Sequence, residues 1–231
     1  MEQIPNCRIV LEGGTGQIEE KKSKFIASIF PVRTEEEAAK LIEQIRKKYW
    51  DARHHCTAYI IGESKNPIMH CSDDGEPAQT AGRPMLDILL GQKLHNVLAI
   101  VTRYFGGTLL GTGGLVRAYS SAVQEGLKNS ILVEKYKGIL YDIKTDYSDL
   151  GKLSYLCGQR KLFILKTEYT ESVMTRVLLP KMQEQEFLKK LAEVTNARAI
   201  AEKIQDIVYA LYQEELILFK ENGSVSCRIH S

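Results

Sequence analysis

The sequence predicts a protein of two α/β (α+β) domains, and three observations indicate this fold class. The chain has 231 residues, which is enough for two small domains that each bury a core of their own. Apolar residues make up 44% and charged residues 26%, an ordinary balance for a globular protein. Predicted strands and helices are mixed along the chain, and a second series of strands and helices begins near Tyr136. We therefore expect domains at residues 1–135 and 136–208, followed by an extension at residues 209–231.

Local signals place the elements of the first domain. Thr34, followed by three glutamates, is a helix N-cap signal, because the hydroxyl satisfies a free amide and the acids complement the helix dipole. Pro84 is expected in the first turn of a second helix, where a missing amide is tolerated. The predicted strands are Cys7–Leu11, Ile18–Val32, Cys56–Ile61, Ile68–Cys71 and Val97–Tyr104, with a turn at Gly13–Gly16. The predicted helices run from Thr34 to about Tyr49, from Pro84 to about Lys93 and from about Gly113 to Lys128.

The second domain is predicted as strand, helix, strand, strand, helix and strand, which is the ferredoxin-like pattern. These elements are Gly138–Asp146, Leu150–Arg160, Phe163–Tyr169, Ser172–Leu179, Gln183–Val194 and Ala199–Val208. The final segment, Tyr209–Ser231, alternates only weakly in hydropathy. It is either an added edge hairpin around Asn222–Gly223 or a mobile tail, and the sequence does not decide between the two.

Bulk properties argue against several classes of protein. The apolar runs fall far short of the roughly 20 residues of a membrane-spanning helix, and the N-terminus does not resemble a secretory signal. The five cysteines are odd in number and widely spread, which fits reduced thiols better than a disulfide framework. The net charge is only +2, so any nucleic-acid contact must rest on a local patch. We expect a cytoplasmic protein without a membrane partner.

The most informative stretch is Arg103–Tyr119, which reads RYFGGTLLGTGGLVRAY and holds five glycines between a predicted strand and a predicted helix. Glycine lets a partner approach the backbone closely, and a helix start offers unpaired amides with partial positive charge. The stretch therefore suits a phosphate or a carboxylate. A tight turn whose glycines serve only packing is an equal alternative. The expected anion- or RNA-binding residues are Arg83, Arg103, Gly106, Gly107, Gly111, Thr112, Gly113, Gly114 and Arg117.

An acidic loop, Ser72–Pro77, precedes the second helix of the first domain. Its carboxylates, Asp73, Asp74 and Glu76, can hold a hard cation such as Mg²⁺ or supply general acid and base groups. The plainer alternative is that these acids fix turns and cap the next helix through bonds to backbone amides. The spacing favours the plainer alternative, because a metal loop has a more regular alternation of ligands.

Histidines and cysteines in two predicted strands form a third group of candidates. On a strand, His54 and Cys56 share one face while His55 points to the other. A zinc site is a weak interpretation, because the paired spacing Cys-x-x-Cys is absent. Nucleophilic Cys–His catalysis is equally weak, since adjacent residues of a strand face apart. The candidate metal ligands are His54, Cys56, His70 and Cys71.

Taken together, these motifs resemble the signature of the IMPACT family, in particular its bacterial YigZ-like branch. The motifs that carry the resemblance are Arg53–Cys56, Ser72–Pro77, Thr80–Pro84 and Arg103–Tyr119. The resemblance implies a first domain with the fold of the second domain of ribosomal protein S-five. It also implies a second domain like the C-terminal ferredoxin-like domains of elongation factor G. Leu109 departs from the pattern, since several members of the family have a lysine there.

The resemblance implies a function in translation, because eukaryotic members of the family are translation regulators that bind a partner of a stress kinase. We therefore expect a non-enzymatic regulatory protein that binds RNA, the ribosome or a translation-related protein, and that uses no cofactor. Two alternatives stay open. One is an enzyme acting on a phosphorylated or anionic small molecule, whose acidic loop binds Mg²⁺ or moves a proton. The other is a protein-interaction scaffold. The sequence indicates no particular oligomeric state.

Overall fold

The computed structural model describes residues 7–64 and 66–230, which form two compact units. One unit is Cys7–Glu134 and the other begins at Lys135, so the chain passes between them inside the strand Ile131–Thr145. The first domain is predicted to begin at residue 1 and the extension to end at Ser231. Residues 1–6 and Ser231 lie outside the described residues. No helix in the described part of the chain combines the length and the hydropathy that crossing a lipid bilayer requires.

The first unit is built on a five-stranded antiparallel sheet with helices on both faces. Its elements are β1 (Cys7–Glu12), β2 (Thr15–Glu20), β3 (Ser23–Pro31), α1 (Glu35–Lys48), β4 (His54–Ile61), β5 (Ile68–Ser72), α2 (Gly82–Gly91), β6 (Leu94–His95), β7 (Val97–Tyr104) and α3 (Thr112–Lys128). The sheet order is β2-β3-β7-β4-β5, and β1 pairs in parallel with β6. Helix α1 covers one face of the sheet, whereas α2 and α3 cover the other.

The central strand β7 is buried on both faces because helices pack on both. Leu98 and Ile100 belong to the core beneath α1. Ala99 and Val101 alternate with them and join the core beneath α2 and α3. Burying a side chain the size of Leu98, Ile100 or Val101 contributes about 1.5–3 kcal/mol, so the strand is held from both sides. The strand ends at Tyr104 and delivers the glycine-rich stretch to one end of the sheet.

Helix α1 begins where its sequence predicts. Thr34 Oγ1 accepts the amide of Glu37 at 3.2 Å, and the Glu37 carboxylate accepts the amide of Arg33 at 2.7 Å. These two bonds satisfy free amides at and before the helix start, where no intrahelical carbonyl is available. The predicted N-cap is confirmed.

The predicted strand Ile18–Val32 is wrong, because it is two strands, β2 and β3, joined by a tight turn. Lys21 and Lys22 occupy this turn with φ angles of 46° and 63°. Such positive φ angles are incompatible with an extended strand. No glycine, proline or asparagine stands at the turn to signal it, so residue pattern alone does not reveal it.

The second unit has the ferredoxin-like topology that its element order predicts. Its elements are β8 (Ile131–Thr145), whose first residues belong to the first unit, α4 (Tyr147–Gln159), β9 (Phe163–Tyr169), β10 (Val173–Pro180), α5 (Glu184–Thr195), β11 (Ile200–Tyr212), β12 (Glu215–Phe219) and β13 (Val225–His230). The strands run in the order β9-β10-β8-β11, all antiparallel. The order of the four motif strands is thus second, third, first and fourth. Helices α4 and α5 enclose one core of this unit on a single face of the sheet.

The C-terminal segment forms an edge hairpin, the first of the two alternatives. Strand β12 pairs with β11, and β13 pairs with β12. The turn is closed by the Gly223 amide, which donates to the Lys220 carbonyl at 2.9 Å. Asn222 Oδ1 accepts the amide of Ser224 at 3.0 Å, which is the local side-chain bond that favours asparagine in turns.

Candidate functional site: an open helix start

Helix α3 begins without a side-chain cap. Gly111 occupies the N-cap position with φ of 72°, a conformation that glycine adopts at little cost. Gly111, Thr112 and Gly113 are exposed. In the described part of the chain, no side chain accepts a hydrogen bond from the amides of Thr112, Gly113 or Gly114. The first turn therefore offers solvent a set of amides together with the positive end of a 17-residue helix.

Arg117 lies beside this open start, one turn along α3. A Cβ atom built on Gly113 would lie 3.6 Å from Nη1 of Arg117, which places the guanidinium next to the first turn. Among the described residues, no carboxylate pairs with Arg117. Arg83 differs, since its Nε forms an ion pair with Asp87 at 2.8 Å within α2. Arg117 thus adds an unneutralised positive charge to that of the helix start.

The glycines of Arg103–Tyr119 differ in their structural roles. A Cβ atom on Gly106 would lie 2.0 Å from the backbone carbon of Lys22, so this glycine is needed for packing. The Gly106 amide is also used inside the protein, donating to Ser23 Oγ at 3.1 Å. Gly107 and Gly111 adopt positive φ and have open space around them. The packing alternative therefore holds for Gly106, whereas Gly107 and Gly111 lie in open space, and anion binding by the stretch stays a prediction.

Arg103 lies inside the unit, although the sequence places it among the expected anion-binding residues. It is 6% exposed, and its Nη1 donates to Glu76 Oε1 at 2.6 Å. Tyr119 of α3 donates its hydroxyl to the same oxygen at 2.8 Å. The guanidinium also lies 5.4 Å from the centroid of the Phe25 ring. Arg103 therefore ties β7 to the acidic loop, and through Glu76 to α3, and it does not extend the exposed charge of Arg117.

Asp73 caps the other helix on this face of the sheet. Its Oδ1 accepts the amides of Ala81 and Gly82 at 3.0 and 2.8 Å, at the first turn of α2. Its Oδ2 accepts the amide of Gln79 at 2.8 Å. One carboxylate thus satisfies three backbone amides, and its charge complements the helix dipole.

The other acids of the loop are also engaged by protein groups. Asp74 accepts the amide of His55 at 2.7 Å and forms an ion pair with Arg46 at 2.7 Å. Glu76 is the buried partner of Arg103. Asp73 and Asp74 therefore accept backbone amides, whereas Glu76 accepts the side chains of Arg103 and Tyr119.

The weak metal-ligand candidates lie in different environments. They are His54, Cys56, His70 and Cys71. Within the ranges that the structure describes, no three His, Cys, Asp or Glu side chains are grouped as a metal site would need. The buried Cys56 thiol donates to the Asp73 carbonyl, and burial raises the pKa of Cys56 to about 12, so the thiol is protonated at neutral pH. His70 stacks on Tyr59, with 5.1 Å between the ring centroids.

The two units define a class of two-domain α+β proteins whose second domain is ferredoxin-like. A family model described as the Impact N-terminal domain matches residues 21–127. A second model, described as a domain of unknown function (DUF1949), matches residues 143–198. With the full-length relatives below, these matches show that the chain belongs to the IMPACT family, as its motifs indicate.

Two bacterial relatives cover most of the chain. The IMPACT family member YvyE of Bacillus subtilis (strain 168) is 38% identical over 190 residues, which are 82% of this chain and 87% of that protein. The IMPACT family member YigZ of Escherichia coli (strain K12) is 40% identical over 174 residues, 75% of this chain and 85% of that protein. The similarity therefore extends through both units.

One solved structure matches most of the chain. A crystal structure described as that of a hypothetical protein matches with a TM-score of 0.55 and 36% sequence identity, covering 86% of this chain and 97% of that one. A structure described as that of the two-domain translational regulator Yih1 matches at a TM-score of 0.36 and 23% identity, over 52% of this chain and 48% of that one. The second match is too distant to add to the assignment.

Proposed function

We propose that this chain is a cytoplasmic, non-enzymatic regulatory protein of translation that binds RNA, or another phosphate-bearing partner, at the start of α3. The observation that carries the proposal is the uncapped first turn, with the unpaired guanidinium of Arg117 beside it. Membership of the IMPACT family supports the regulatory part, because the resemblance implies translation regulators among the eukaryotic members.

The chemistry of the helix start suits a phosphate group. The amides of Thr112, Gly113 and Gly114 are donors without a side-chain acceptor among the described residues, and a helix start carries roughly half a unit of positive charge. Arg117 can donate two parallel hydrogen bonds to a phosphate. Gly113 has no side chain to separate its amide from the ligand. Together these groups offer donors and positive charge to one phosphate.

The buried ion pair has a supporting role in this proposal. Arg103 stands one residue before the end of β7, and Tyr119 lies on α3 two residues beyond Arg117. Both donate to the same oxygen of Glu76, so this carboxylate joins the strand and the helix on either side of the glycine loop. The pair therefore holds the two ends of the loop in place.

The enzyme alternative receives no support from the acidic loop. Each of its carboxylates already accepts hydrogen bonds from backbone amides, a tyrosine or arginines. A residue that moves a proton must be able to reach the proton on a bound substrate. Asp73 and Glu76 instead stabilise α2 and the β7–α3 connection.

Titration of RNA across a salt series tests the proposed contact. Binding to the wild-type chain should weaken steeply as salt rises, because phosphate contacts release counterions. Arg117→Ala should lower the affinity for RNA about tenfold at low salt. It should also reduce the slope of log affinity against log salt concentration by about one. Arg83→Ala is the matched control, since Arg83 is also an exposed arginine but is paired with Asp87. The control should bind as the wild type does.

Absence of RNA binding at low salt would contradict the RNA part of the proposal, as would equal affinities of wild type and Arg117→Ala. A pull-down from cell extract, with and without nuclease, then separates RNA from a protein partner. Recovery that resists nuclease but is lost with Arg117→Ala would identify a phosphate-bearing or acidic protein at the same helix start.

A further inference from the structure

Two tyrosines of the second unit form an exposed aromatic surface, called here the tyrosine pair. Tyr147 is the first residue of α4 and is 55% exposed, whereas Tyr169 is the last residue of β9 and is 63% exposed. Their rings are stacked, with 6.5 Å between the ring centroids and 24° between the ring planes. Neither ring belongs to the buried core beneath α4 and α5. More than half of each side chain is therefore available to a partner.

The tyrosine pair is held in place by the protein itself. The Tyr147 hydroxyl donates to the carbonyl of Thr170 at 2.7 Å, which joins the start of α4 to the turn between β9 and β10. The amide and the hydroxyl of Thr170 both donate to the carbonyl of Ser172 at 3.0 Å, so this turn is also fixed. A surface that is already ordered loses less conformational entropy when it binds a partner.

Two carboxylates adjoin the tyrosine pair and have no cation as a partner among the described residues. Asp146 directly precedes Tyr147 at the N-cap of α4, yet its side chain accepts no bond from the helix amides. Glu171 directly follows Thr170, is exposed, and has no ion-pair partner in the described part of the chain. Both carboxylates can therefore pair with a cation that comes from outside the chain.

The other acids near this surface are neutralised within the protein. Asp149, in the first turn of α4, binds Lys152 and Arg198, each at 2.8 Å. Glu168 of β9 pairs with Lys166. The helix start adds only about half a unit of positive charge, less than two unpaired carboxylates carry. The charge beside the tyrosine pair therefore favours a cationic partner and would repel the phosphates of a nucleic acid.

We propose that the tyrosine pair is a docking site for a basic segment of a partner protein. A cationic side chain is attracted to the face of an aromatic ring, and the planar guanidinium of arginine can stack on it. The carboxylates of Asp146 and Glu171 supply the opposite charge. Tyrosine and arginine are also the residue types that contribute most often to binding energy at protein interfaces. The site lies in the second unit and does not depend on the contact proposed at the start of α3.

Labelled hexa-arginine is a probe for this site, because the chain has a formal net charge of +2 and does not attract a polycation as a whole. Fluorescence anisotropy should show that it binds at low salt. Tyr169→Leu should weaken this binding about two- to fivefold, the range of one exposed cation–π contact. Tyr169→Phe keeps the ring and should bind as the wild type does. Tyr155→Leu is the matched control, since Tyr155 is 68% exposed on α4, and it should also keep wild-type affinity.

The two carboxylates are tested with the same probe. The double variant Asp146→Asn and Glu171→Gln should weaken the binding of hexa-arginine about two- to tenfold at low salt. The difference from the wild type should shrink as salt rises, because salt screens exposed charges. Glu221→Gln removes an exposed acid in the turn between β12 and β13 and should change the affinity less than about twofold. Equal losses in the double variant and in Glu221→Gln would contradict a local role of the two acids.

Three further outcomes would overturn the docking site. The first is wild-type affinity in Tyr169→Leu, or equal losses in Tyr169→Leu and Tyr169→Phe, since the ring is then not the group that binds. The second is absence of hexa-arginine binding to the wild type at low salt. The third is oligoadenylate binding that is weakened by Tyr169→Leu, which would make the pair a base-stacking surface instead. Arg117→Ala should bind hexa-arginine as the wild type does, which separates this site from the start of α3.

Discussion

Helices α2 and α3 lie on the same face of one sheet, and they begin in opposite ways. The first turn of α2 is closed by the protein itself, since Asp73 accepts the amides of Ala81 and Gly82. The first turn of α3 has glycine at the N-cap and no side-chain acceptor among the described residues. The amides at the start of α2 are therefore bonded within the protein, whereas those at the start of α3 are left to solvent.

This difference separates a structural role from a functional one in two loops, the acidic loop before α2 and the glycine-rich loop before α3. The acidic loop holds charged residues that suit a metal or an acid–base site, yet its charges are matched by internal amides and arginines. The glycine loop has fewer charged groups, but the donors at its end are exposed and unmatched in the described part of the chain. Carboxylates that are already bonded inside the protein are less available to a ligand than exposed helix amides that only solvent satisfies.

The largest expected effect comes from breaking the buried pair of the acidic loop. Glu76→Ala leaves the Arg103 charge and the Tyr119 hydroxyl without their acceptor, in side chains only a few per cent exposed. It should lower the free energy of unfolding by about 3–5 kcal/mol in urea denaturation. Glu125→Ala, which breaks an exposed pair with Lys128, should change it by less than about 1 kcal/mol. Similar losses in the two variants would contradict the structural role of Glu76.

Replacing the packed Gly106 and the exposed Gly113 by alanine should change the stability of the protein in opposite directions. Gly106→Ala places a Cβ atom against the backbone of Lys22 and should cost about 1–3 kcal/mol in urea denaturation. Gly113→Ala meets only Arg117 at 3.6 Å and lies in a helix, so it should stabilise the protein by about 0.5–1 kcal/mol. A tolerated alanine at Gly106 would show that the loop is not packed there.

Removal of the α2 cap should have a moderate effect. Asp73→Ala leaves three backbone amides without their acceptor and should lower the free energy of unfolding by about 1–2 kcal/mol. Asp73→Asn keeps an acceptor oxygen without the charge and should lose less. Stability of Asp73→Ala equal to that of the wild type would mean that α2 does not depend on its cap.

Much of the fold follows from the sequence because its signals are local. The order of elements from β8 to β11 predicts the ferredoxin-like topology, and Thr34 marks the start of α1 through a bond to a residue three positions away. The turn at Lys21–Lys22 escapes prediction because lysine carries no turn preference. Tertiary pairing of β2 with β3 imposes that turn.

The candidate site is only partly predictable from the sequence. The open start of α3 follows from the glycines between a strand and a helix, whereas the burial of Arg103 depends on Glu76, which is 27 residues away in sequence. One signal for Arg103 was available, since it follows Ala99 and Val101 at two-residue spacing and so faces the same core. The bond from Tyr104 to Asp51 likewise spans 53 residues in sequence and leaves no local signal.

The most direct test of the open helix start is an NMR titration of the ¹⁵N-labelled chain with inorganic phosphate. The amide resonances of Thr112, Gly113 and Gly114 should shift saturably, and those of Ala81 and Gly82, already bonded to Asp73, should stay in place. Unchanged resonances in the first turn of α3, or equal shifts at the starts of α2 and α3, would contradict the proposal that the open start of α3 receives a phosphate.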